Sequence, residues 1–79
     1  MKIHAKMTSP TRALDSDPTQ FLVDYFFLTG PKRSATVSLM PTNFGSEHQL
    51  MYKLKVLLVA ALETTYAPEQ FSPSDILFL

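Results

Sequence analysis

The chain has 79 residues, seven Lys or Arg against seven Asp or Glu, no Cys, no Trp, two Gly and six Pro. That is one domain, and a chain of this size buries only about 60 to 65% of the surface its unfolded form exposes, so every apolar face needs cover. Zero net charge argues against a general polyanion binder, and a charged fraction of 18% is low for a soluble domain, which favours self-association.

The longest unbroken apolar run, Val56 to Leu62, is far shorter than the roughly 20 residues a membrane-spanning helix requires. Lys6 interrupts the stretch where a signal peptide would be apolar, and a chain without cysteine suits a reducing compartment, so the cytoplasm is the expected location.

Lys2 to Thr8 alternates Ile3, Ala5 and Met7 with Lys2, His4 and Lys6, the period of a half-buried strand. A turn-rich loop follows, opened by Ser9-Pro10 and closed by Asp15-Ser16-Asp17-Pro18. Gln20 to Thr29 carries Phe21, Val23, Tyr25 and Phe27 on one face and Leu22, Asp24, Phe26 and Leu28 on the other, the mark of a central or doubly covered strand. Gly30-Pro31-Lys32-Arg33 supplies a turn into Ser34 to Met40, so the pair reads as a hairpin.

Pro41 ends that strand, and Ser46-Glu47-His48-Gln49 matches a capping box at a helix start. The helix is expected to run to about Thr65, ahead of Pro68. Ser74 to Leu79 reads as a last short strand, although Ser72-Pro73-Ser74-Asp75 equally suits the opening of a short helix. The order β-β-β-α-β predicts an α+β domain: two layers, a mostly antiparallel sheet of three to four strands, and one helix packed on one face.

Turned at 100° per residue, the helix collects Leu50, Met51, Leu54, Leu57, Leu58, Ala61 and Leu62 on its core face. The opposite arc carries Tyr52, Val56, Val59, Ala60 and Tyr66, with Glu63 as its charge. An arc this apolar is either a contact surface for another protein or a second copy, or it is covered by the loop before Phe21 or the segment around Phe71. Leu22, Phe26 and Leu28 raise the same question on the sheet, where a β-bulge or a local switch of sheet face that puts some of them in the core is the preferred explanation.

Catalytic and metal constellations do not assemble from the sequence. His4 and His48 are far apart, and neither sits at ligand spacing from a carboxylate. Asp15 and Asp17 form the one close acidic pair and suit turn formation. Neither glycine lies in a phosphate-loop pattern. No enzyme, cofactor or metal is therefore expected. Lys2, Lys6, Lys32 and Arg33 form a candidate basic patch, but the preferred reading is that lysines on an edge strand discourage stray strand pairing and that the basic turn is simply solvated.

These features favour a small non-enzymatic module that binds another protein through Tyr52, Val56, Val59, Glu63 and Tyr66 and acts by occlusion or assembly. Accessory inhibitors of viruses and mobile elements, including those directed at bacterial defence complexes, commonly have this format. One alternative is an obligate homodimer with a structural or assembly role. Another is a small nucleic-acid binder that uses the basic strand face and turn.

Overall fold

A computed structural model describes residues 2–8, 10 and 16–79. Asp15 and Ser9, singled out in the sequence, lie outside the described residues. The elements are β1 (Ile3–Met7), β2 (Thr19–Phe27), β3 (Arg33–Leu39), α1 (Glu47–Thr65) and β4 (Ile76–Phe78), with short 3-10 turns at Pro41–Asn43 and Pro73–Asp75. This is the expected α+β arrangement, a four-stranded mixed sheet with one helix on one face.

The sheet order is β3-β2-β1-β4. β1 and β3 each run antiparallel to β2, while β4 joins β1 in parallel. A parallel neighbour requires a crossover, and α1 supplies it by carrying the chain from one edge of the sheet to the other. The period of two then sorts the strand residues by face. Ile3, Ala5, Phe21, Val23, Tyr25, Val37 and Ile76 are buried together with Leu54, Leu58, Val59 and Leu62 of α1 and with Phe71.

The helix begins where its cap predicts. Ser46 Oγ accepts from the Gln49 N–H at 3.2 Å, and Gln49 Oε1 accepts from the Ser46 N–H at 2.8 Å, so two donors at the helix start are satisfied reciprocally. Gly45 precedes this cap at φ 67°, a left-handed conformation that glycine adopts at little cost.

The two alternatives for the final segment are realised in series. Ser72 and Asp75 form a second capping box around the turn at Pro73–Asp75, and the chain then extends into β4.

Candidate functional site

The structure divides the predicted helix arc. Tyr52 and Val56 stay open, 59% and 41% exposed, whereas Val59 is only 7% exposed and belongs to the core. The expectation that Val59 shares a surface with Tyr52 is thus corrected. The segment after the helix folds back: Phe71 is buried, and its N–H donates to Glu63 Oε1 at 3.3 Å. Glu63 thereby ties down the segment that covers the C-terminal half of the helix.

Tyr66 is drawn inward too. Its hydroxyl lies 3.0 Å from that of Tyr25, its ring meets Phe27 edge-on at 5.3 Å, and the Arg33 guanidinium lies 5.7 Å from the ring centroid. Burial, and then the hydrogen bond with Tyr66, push the Tyr25 pKa up to about 12. Tyr52 and Val56, the large apolar residues of the arc still open on α1, line a groove of about 310 Å³ with Leu39, Lys53 and Leu57.

The second surface is the sheet face turned away from α1. Pairing along β1, β2 and β3 is in continuous register, so no bulge within it redirects Leu22 or Phe26, contrary to the preferred expectation. Leu22 is 42% exposed, and Leu77 of β4 is 46% exposed. Phe26 is half-buried and meets His4 edge-on with ring centroids 5.1 Å apart. His4 is paired with both Phe26 and Leu77, which makes one row across three strands. Leu28, just past β2, is also exposed.

The candidate basic residues do not gather into one strip. Lys6 and Lys32, with Thr8, Asp24, Phe26 and Leu79, line a depression of about 290 Å³ on this open face. Asp24 lies between them, accepting from Ser34 Oγ at 2.7 Å and facing Lys32 Nζ at 3.9 Å. Arg33 points to the other side of the sheet, onto Tyr66, and Lys2 is exposed just before β1.

Sequence reasoning identified Leu22 and Phe26 but missed that Leu77 continues the row of Phe26. The alternation of Leu77 and Leu79 with Ile76 and Phe78 carried that signal, but only the parallel pairing of β4 with β1 joins the two strands' apolar residues.

Among the described residues, no three His, Cys, Asp or Glu side chains are grouped to hold a metal ion, and no helix is long and apolar enough to cross a membrane. The chain matches no family model, no curated protein and no solved structure.

Proposed function

We propose that this chain is a protein-binding module that acts by occluding a surface of its partner through the open face of the sheet. The observation that carries this reading is the row His4, Phe26 and Leu77, with Leu22 on the same face beyond the Lys6–Asp24 pair, on a side of the sheet that no helix covers among the described residues. Exposed apolar side chains gathered on one sheet face, with charge between and around them, favour association.

The rim indicates the partner's chemistry. Lys6 and Lys32 border the depression beside Phe26, and Asp24 offsets only part of their charge. A partner presenting an apolar side chain flanked by carboxylates matches this pattern. The groove on α1 is a weaker candidate for this role, because the covering of Val59 and the docking of Tyr66 reduce it to Tyr52, Val56 and their neighbours.

The test is a photo-crosslinking residue placed at Leu22 or Leu77 in living cells, with Thr64 as the control position. One protein crosslinked from the sheet positions and not from Thr64, whose purified form loses binding to the Leu77→Asp chain, supports the reading. Crosslinks from Thr64 alone, or binding undiminished by Leu77→Asp, would overturn it. Nucleic acid recovered from the sheet positions in place of protein would also refute it.

A further inference from the structure

We infer that β3 is a self-pairing edge, on which a second copy of this chain docks antiparallel with Thr36 opposite Thr36 of the partner subunit. The inference is independent of the open-face reading, because it rests on the backbone of the sheet edge.

The direction of the backbone groups follows from one hydrogen bond. The N–H and C=O of a strand residue point to the same side, and sides alternate along the strand. The Thr8 N–H donates to the Leu22 carbonyl at 2.9 Å, so Leu22 and its alternate neighbours Gln20 and Asp24 aim at β1. Phe21, Val23 and Tyr25 therefore aim at β3, where they pair with Val37, Ala35 and Arg33. Ser34, Thr36 and Ser38 are left directing their N–H and C=O groups outward. All three are exposed, and no backbone bond outside the sheet ladder reaches them among the described residues.

Edges of this kind are normally blunted by a proline, a bulge, a charge or extreme shortness. β4, at the other edge, has three residues and is blunted by its length. β3 has seven residues, its register with β2 is unbroken, and Ser34 to Met40 contains neither a proline nor a charge. Among the described residues, its outward-directed positions Ser34, Thr36 and Ser38 carry nothing to discourage pairing.

The sequence of the edge selects a second copy as occupant. Read outward from Thr36, both directions meet a serine two residues away, Ser34 and Ser38. A two-fold axis at Thr36 sets each Ser34 against the partner's Ser38 and the two Thr36 against each other, so all the outward groups pair at once. Facing threonines are a favourable cross-strand combination. Arg33, the one charge on the strand, falls opposite the partner's Leu39, and the two arginines stand about 20 Å apart at about 3.3 Å per residue. The α1 groove runs from Leu39 of β3 to Tyr52 and Val56, so it lies beside this edge. Continuing the sheet past β3 brings a second α1 alongside it, while the open sheet face stays free and is doubled in extent.

Sedimentation of the full chain over a range of concentrations tests the inference, with a reversible monomer–dimer equilibrium as the expected result. Thr36→Pro removes an outward N–H that β2 does not use, a position where an edge strand tolerates proline. It is expected to weaken the dimer at least about a hundredfold, with the circular dichroism of the monomer unchanged. Should Thr36→Pro fail to fold, charge replaces it: Thr36→Lys and Thr36→Glu chains each become monomeric, because like charges then face across the axis, and an equimolar mixture dimerises again. A wild-type chain that stays monomeric, a dimer that survives Thr36→Pro, or charged variants that dimerise as well alone as when mixed would overturn the inference.

Discussion

The hydroxyls of Tyr25, in the centre of the sheet, and Tyr66, at the C-terminal cap of α1, lie 3.0 Å apart. Around them Phe27 meets Tyr25 edge-on at 6.0 Å and Tyr66 edge-on at 5.3 Å, with Phe71 6.2 Å from Phe27. Edge-on aromatic pairs contribute on the order of 0.5–1.5 kcal/mol beyond the area they bury. This cluster fixes the helix end and the returning segment to the sheet, and so determines how much of the helix arc is left open.

The first prediction concerns alkaline pH. Tyr25 has its pKa raised from 10.0 to about 12 in the folded chain, chiefly because burial penalises the phenolate. The unfolded chain therefore loses this proton first as pH rises. The resulting stability is complete below pH 10 and is lost between pH 10 and about 12. Denaturant titrations across that window are expected to show the decline, and Tyr25→Phe removes the part due to this group. An identical alkaline decline in the Tyr25→Phe chain would contradict the assignment.

A second prediction separates two valines that the helical wheel placed on one surface. Val59, 7% exposed, loses core packing on Val59→Ala, at a cost of roughly 1–3 kcal/mol. Val56, 41% exposed, is expected to cost under about 0.5 kcal/mol on Val56→Ala. A chain of 79 residues has total stability on the order of 4–12 kcal/mol, so the first change is a large fraction of the whole and the second is hardly visible. Urea unfolding of the two variants, done at a concentration where the chain is monomeric, checks the order.

The wheel failed at Val59 for a physical reason that also shows how far the sequence could be read. Period-two alternation and the capping box at Ser46 placed the strands and the helix within a residue or two, because those signals are local. What covers a helix face is not local. Phe71 and Tyr66 reach the core as the chain returns to pair β4 with β1. The sequence offered the segment around Phe71 as one possible cover for this face, and the structure bears that alternative out, but helical spacing alone does not choose it over a partner. The open sheet face was half legible: β2 displayed Leu22 and Phe26 plainly, but the alignment of Phe26 with Leu77 through His4 depends on strand order, which periodicity does not encode.

The third prediction concerns that open face. Leu77 is 46% exposed and its neighbour Ile76 is 2% exposed, so adjacent substitutions on β4 should behave oppositely. Leu77→Thr is expected to change stability by no more than about 0.5 kcal/mol, whereas Ile76→Ala costs about 2–5 kcal/mol. Thermal unfolding distinguishes them. A large loss on Leu77→Thr would mean that the outer face is covered within the chain, and would remove the main support for its role in binding.

The last prediction tests the start of α1, where Gly45 and Gln49 depend on each other. Ser46→Ala deletes one half of the capping box and is expected to cost about 0.5–2 kcal/mol. Gly45→Ala looks milder but should cost more, for two reasons. At φ 67° a side chain occupies the left-handed region, at roughly 1 kcal/mol. The added Cβ would also run into Oε1 of Gln49, the atom that accepts from the Ser46 N–H at 2.8 Å, so it dislodges the other half of the box. If the two losses arise through one cap, the Gly45→Ala and Ser46→Ala effects should fall short of additive in the double variant. Full additivity in denaturant unfolding would show that Gly45→Ala acts through backbone strain alone and leaves the Gln49 amide in place.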